Sequence, residues 1–209
     1  DAGFSIVSYT GNGGTNVTVG HGLSSAPEFI ILKDRDNATD WYAYTTKVDG
    51  TLDFGRLNTT AAFSGSGASL PTSSVFYVTG TVANSSGDAK IAYLFHSVQG
   101  YSKFGKYTGN GSSDGIFVYT GFRPAFVMTK ATSSTSSWMM YDHKRLGYNP
   151  IDVALRANGA DAESTSLISG EDIDLLSNGF KVRNANATIN ASGVTYIYMA
   201  FAEHPFVTS

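Results

Sequence analysis

The sequence predicts an all-β fold made of two tandem antiparallel β-sandwich or jelly-roll-like repeats with little helix. Three observations carry that expectation. Apolar segments alternate with polar residues or run only briefly, are rich in Val, Ile, Tyr and Phe, and end in Gly, Asn and Ser clusters, the pattern of strands packed on one face. Helical periodicity is almost absent, which favours sheet layering. The pentapeptide Tyr9-Thr10-Gly11-Asn12-Gly13 also returns unchanged as Tyr107-Thr108-Gly109-Asn110-Gly111, so the chain carries an internal repeat.

The repeat extends beyond the pentapeptide. Gly3-Phe4-Ser5 answers Gly100-Tyr101-Ser102, and Ala26-Pro27-Glu28-Phe29-Ile30-Ile31-Leu32-Lys33 answers Arg123-Pro124-Ala125-Phe126-Val127-Met128-Thr129-Lys130. Pro27 to Pro124 and Trp41 to Trp138 are both separated by 97 positions. Each half closes on an aromatic strand, Ile91-Ala92-Tyr93-Leu94-Phe95 or Ile197-Tyr198-Met199-Ala200-Phe201. The expected domains are 1–99 and 100–209. The short linker Ser97-Val98-Gln99-Gly100 argues for halves that pack together.

In chain order, strands are expected near 4–9, 15–19, 27–33, 40–45, 52–57, 75–79 and 89–97. Their counterparts fall near 101–107, 115–119, 124–130, 137–142, 153–156, 179–183 and 194–202. Asn12-Gly13 and Asn110-Gly111 adopt positive φ readily and predict hairpin turns after the first strand of each half. One short helix is expected at 150–157, with Asn149 as cap, Pro150 at its first position and Asn158-Gly159 as stop. Ser64-Gly65-Ser66-Gly67 and residues 131–137 read as surface connectors.

Composition narrows the chemistry. The 209 residues include no cysteine, which excludes disulfides and thiolate metal sites. Fourteen Lys and Arg stand against seventeen Asp and Glu, a net charge of −3 with no basic run, so nucleic acid is not an expected partner. No apolar run approaches the roughly twenty residues of a membrane-spanning helix, and membrane insertion is not expected. Residues 1–99 carry the whole net charge of −3 and residues 100–209 are neutral; the halves share a scaffold more than a surface.

Candidate sites follow from side-chain chemistry. The loop Asp34-Arg35-Asp36-Asn37-Ala38-Thr39-Asp40 gathers Asp34, Asp36 and Asp40, hard oxygen ligands that suit calcium if they converge; it lacks the spacing of an EF-hand, and a solvated turn is the competing reading. His21, His96, His143 and His204 lack the spacing that pairs imidazoles for zinc. Glu171, Asp172 and Asp174 form a second acidic cluster, and paired carboxylates across a groove are what glycoside hydrolysis requires. No nucleophile elbow, P-loop or zinc-protease motif occurs, so no catalytic residue is assigned and the expectation is a protein that is not an enzyme. Aromatic side chains remain as binding material. Trp41 and Trp138 are candidates, although equivalent placement in both halves also suits core filling. Tyr141, Asp142, His143, Arg145 and Tyr148 lie in a segment whose counterpart, residues 44–50, is much less basic, which makes it the best single candidate for a contact surface specific to one half. Sequons at Asn16, Asn37, Asn58, Asn84, Asn110, Asn186 and Asn190 are explained by a composition rich in Asn, Ser and Thr.

Residues 3–13, Val19-Gly20-His21-Gly22-Leu23, residues 100–111, residues 121–128, Leu176-Ser177-Asn178-Gly179-Phe180-Lys181 and residues 196–203 together resemble a domain of tailed-bacteriophage structural proteins, common in phages of marine bacteria and cyanobacteria. The resemblance runs in the same order along essentially the whole chain. It implies a virion protein of the tail fibre or tail tip, often the C-terminal part of a longer chain, located in the virion tail beside other tail proteins. It carries over no binding residue, and it differs at Leu94, where related sequences often have cysteine. By analogy a homotrimer is expected. The functional expectation is a receptor-binding domain for a host cell-surface glycan or outer-membrane component. A structural or decoration component of the virion is the alternative, and a polysaccharide depolymerase stands behind both.

Overall fold

Alternation with a period of two turns one face of each long strand inward. The computed structural model describes residues 2–163 and 170–205. It is all-β apart from two helices of five and four residues, and its sheets are antiparallel. Two compact units are present, Asp1–Asn58 with Phe63–Ser97, and Thr59–Ala62 with Val98–Ser209.

In the first unit, β1 (Phe4–Thr10), β3 (Phe29–Asp34), β4 (Tyr42–Thr45), β5 (Asp53–Arg56), β6 (Ser64–Gly65) and β8 (Ala89–Phe95) form one sheet in the order β1-β8-β3-β4-β5-β6. A second sheet pairs β2 (Val17–Gly20) with β7 (Val75–Val78), and α1 (Gly80–Asn84) links β7 to β8. Ile30, Leu32, Ala92 and Leu94 from the larger sheet meet Phe76 and Val78 from the smaller in one core. This is the two-layer solution by which sheets bury their apolar faces.

The second unit has a five-stranded and a three-stranded sheet among its described residues. Its larger sheet runs β13 (Leu155–Arg156), β12 (Met139–Asp142), β11 (Pro124–Ala131), β16 (Thr195–Ala202), β9 (Ser102–Thr108). Its smaller sheet runs β10 (Phe117–Tyr119), β15 (Gly179–Val182), β14 (Ile173–Leu176), and α2 (Ala187–Asn190) precedes β16. Val127, Tyr141, Tyr196 and Ala200 meet Val118, Leu175, Phe180 and Val182 across the core.

Two local expectations are corrected. The Thr-Gly-Asn-Gly segments are not hairpin turns, because β1 pairs with β8 and β9 with β16, while β2 and β10 belong to the smaller sheets. Each segment instead crosses from one sheet to the other and is fastened by an asparagine at the end of the short helix. Asn84 Oδ1 accepts from Asn12 N at 3.0 Å, and Asn84 Nδ2 donates to Asn12 Oδ1 at 2.9 Å and to Gly14 O at 2.7 Å. Asn190 does the same for Asn110 N, Asn110 Oδ1 and Ser112 O, each at 2.9 Å. The first glycine of each segment has no alternative: a Cβ on Gly11 would stand 2.0 Å from Ser85 O, and one on Gly109 would stand 2.3 Å from Ala191 O.

No helix forms at 150–157. Asn149 spends its amide on β14, accepting from Leu175 N at 2.9 Å and donating to Leu175 O at 3.0 Å. Ile151 exchanges both backbone hydrogen bonds with Ile173, at 2.7 and 3.1 Å. Extended pairing therefore satisfies the backbone groups that a helix would have used, and Ile151, Val153 and Ala154 go into the core.

Candidate binding surface

The matched tryptophans share a backbone setting and part at the side chain. Trp41 N donates to Asn58 Oδ1 at 2.9 Å and Trp138 N to Asn158 Oδ1 at 2.7 Å. Yet Trp138 is 1% exposed and Trp41 39%. Trp138 is core; Trp41 presents a ring to solvent.

The 141–148 segment is a braced corner more than an open surface. Tyr141 is fully buried and its hydroxyl donates to Glu171 O at 2.8 Å, which removes it as a contact residue. Asp142 accepts from Lys144 N and Arg145 N, both at 2.9 Å, and from Arg145 Nε. Burial opposes ionisation of Asp142, but those donors outweigh it and hold the carboxyl below its usual range. Arg145 also reaches Glu163 Oε2 at 2.9 Å. His143 lies 3.2 Å from Ala125 O and 3.5 Å from Glu203. Tyr148, 67% exposed, is the ring this segment offers to a partner.

The acidic clusters are likewise committed to protein partners. Asp34 is buried against Lys90 Nζ at 2.5 Å, Asp36 accepts from Ala89 N at 2.6 Å, and Asp40 meets Arg56 Nε at 2.9 Å and Asn58 Nδ2 at 2.9 Å. Among the described residues no three His, Asp or Glu side chains come together as metal ligands. Glu171 lies 3.3 Å from Arg156 and Asp174 3.4 Å from Arg183. Asp172 is pushed above the usual carboxyl range by burial and then by Asp152. His21 is a satisfied interior histidine: Nδ1 accepts from Leu23 N and Nε2 lies 3.0 Å from Thr72 O, so the proton sits on Nε2.

The arrangement best suited to a ligand was not singled out from the sequence. On β10, Val118 points into the core while Phe117 and Tyr119 point outward, 42% and 65% exposed. Register across the smaller sheet places Phe117, Lys181 and Asp174 in one row and Tyr119, Gly179 and Leu176 in the next. Residues directly opposite in antiparallel strands share a face, so these side chains form one surface. The Phe117 ring lies over Gly179, where an added Cβ would come within 3.0 Å of it, and Tyr119 leans over Gly121. Charge frames the rings. Lys181 pairs with Asp114 at 2.5 Å, holding that carboxyl below its usual range, and Asp174 pairs with Arg183. The equivalent outward positions of the first unit, on β2, are Thr18 and Gly20. The sequence signal was present as Ile116-Phe117-Val118-Tyr119, where alternation puts two rings two residues apart on one face.

Two flat rings beside donors and carboxylates form a surface that can stack on an apolar ring face while hydrogen-bonding its polar edge, the chemistry of sugar recognition. By sequence the chain belongs to the family described as the domain of unknown function DUF7483, which matches residues 1–205. No curated protein and no solved structure matches it.

Proposed function

We propose that this chain is a bacteriophage tail-fibre module that attaches to a glycan on the host cell surface, and that Phe117 and Tyr119 are its contact rings. The observation that carries the reading is the outward aromatic pair on β10, which the matching strand β2 replaces with Thr18 and Gly20. Core-facing positions keep a shared scaffold in both units, while this face differs, as recognition on a rigid frame requires. The phage assignment rests on the sequence resemblance. Single contacts of this size bind weakly, and several copies on one fibre, a homotrimer in the simplest case, raise the avidity.

The test is binding of the fluorescently labelled chain to a panel of marine bacterial and cyanobacterial cells, before and after enzymatic stripping of surface polysaccharide. Strain-selective binding lost on stripping supports the reading. Folded protein that binds no strain points instead to a structural or decoration role in the virion.

A further inference from the structure

The first unit holds a cavity of about 370 Å³ lined by both of its sheets and by α1. Its floor is the buried set Ile30, Leu32, Leu52, Phe76 and Val78, and its rim the exposed Gly67, Gly80 and Thr81. The volume lies in the range of small-molecule sites, roughly 300–1,000 Å³. At roughly 30 Å³ for each water-sized atom, it accommodates about twelve non-hydrogen atoms.

Comparison with the second unit shows what the space lacks. Tyr44 faces Ile30 across β4 and β3, and Tyr141 faces Val127 at the matching place across β12 and β11. Tyr141 donates to Glu171 O beside β14 and packs with Ile151 and Leu175. Among the described residues the smaller sheet of the first unit has only β2 and β7, with no strand at the place of β14. Tyr44 lines the cavity. The hydroxyl is not one of the buried polar atoms left without a partner, so water reaches it in the cavity, and a ligand that displaces that water keeps its affinity only by hydrogen-bonding the hydroxyl in turn. Among the described residues no charged side chain lines the cavity, so a carboxylate or ammonium would enter without compensation.

We propose that this cavity binds an uncharged small molecule with an apolar body of about ten to twelve non-hydrogen atoms and one hydroxyl or carbonyl group, held by a hydrogen bond to the Tyr44 hydroxyl. The site lies in the first unit, apart from the Phe117–Tyr119 face in the second, and its test reads a different ligand. The probes are 4-butylphenol, butylbenzene without the hydroxyl, and 4-butylbenzoate with a charge, titrated into the full chain and followed by the methyl resonances of Ile30, Leu32, Leu52 and Val78. The expected result is saturable shifts of those methyls with 4-butylphenol and binding of 4-butylbenzoate at least tenfold weaker. Tyr44→Phe weakens 4-butylphenol by roughly three- to tenfold, the value of one neutral hydrogen bond, and leaves butylbenzene unchanged. Absence of saturable shifts up to the solubility of the phenol overturns the proposal, as does equal binding of the carboxylate. Undiminished phenol binding by Tyr44→Phe overturns the role of the hydroxyl.

Discussion

Asp34 and Lys90 face each other across β3 and β8 as a buried ion pair, 2.5 Å from Nζ to Oδ2, at the register position where Ala131 faces Tyr196 across β11 and β16. One scaffold position thus takes an ion pair in the first unit and an uncharged Ala–Tyr pair in the second, where the Tyr196 hydroxyl accepts from Ala191 N at 2.8 Å and donates to Ala187 O at 2.6 Å. Asp34 also accepts from Asp36 N and Asn37 N, tying the following loop to the strand.

Removing one partner of such a pair strands the other as a buried charge, which costs about 3–5 kcal/mol, whereas replacing both with apolar groups is often neutral. Asp34→Ala and Lys90→Tyr are each expected to destabilise by about that amount. The double variant Asp34→Ala/Lys90→Tyr is expected to lose less than either single. Guanidinium unfolding of the four proteins measures the coupling.

Acid removes the same contribution. Burial pushes the Asp34 carboxyl up, but donation from Lys90, Asp36 N and Asn37 overcomes it and holds the pKa at about 2. A folded-state pKa below the unfolded value near 3.9 stabilises fully above about pH 4, and the gain is lost as pH falls through 2. Urea midpoints of the wild type are expected to fall more between pH 4 and pH 2 than those of the double variant.

Lys130 gives a slope of the same sign at alkaline pH. It is fully buried, donates to Ala131 O at 2.8 Å and to Ser134 O at 3.3 Å, and burial lowers its pKa to about 8. Between about pH 8 and pH 10 the unfolded chain holds a proton that the folded chain has released, so stability rises with pH in that window. The rise is expected in the wild type and absent in Lys130→Met. Above it, Tyr9, Tyr107 and Tyr141, all held well above their usual pKa by burial, reverse the slope.

The tryptophans separate by environment. Trp138→Ala is expected to cost about 3–5 kcal/mol as a core truncation, and Trp41→Ala under about 1 kcal/mol as a surface change. Acrylamide is expected to quench the fluorescence of a protein carrying only Trp41 far more than one carrying only Trp138.

Much of the fold was legible because period-two alternation and β-branched or aromatic runs report strands directly. The matched Tyr-Thr-Gly-Asn-Gly segments each sit at the end of the first strand of a larger sheet, but Asn-Gly chemistry could not say which strand came next to which. That choice depends on Asn84 and Asn190, more than 70 residues away. Both helices escaped notice because four or five residues carry no periodicity. The segment at 150–157 had helix-start signals, but long-range pairing of Ile151 with Ile173 overrode them. At the site, composition drew attention to the mixed segment 141–148, whereas burial of Tyr141 and exposure of Phe117 and Tyr119 are set by which face of each strand meets the core.

Contact between the β10 ring pair and the host surface is the proposal that most needs a direct test. The most direct measurement compares cell binding by the wild type and by Phe117→Ser/Tyr119→Ser, a change at exposed positions that leaves Val118 in the core. Unfolding curves establish that both proteins are equally folded. The expected result is strain-selective binding by the wild type that falls at least tenfold in the variant. Equal binding by the two folded proteins would contradict it.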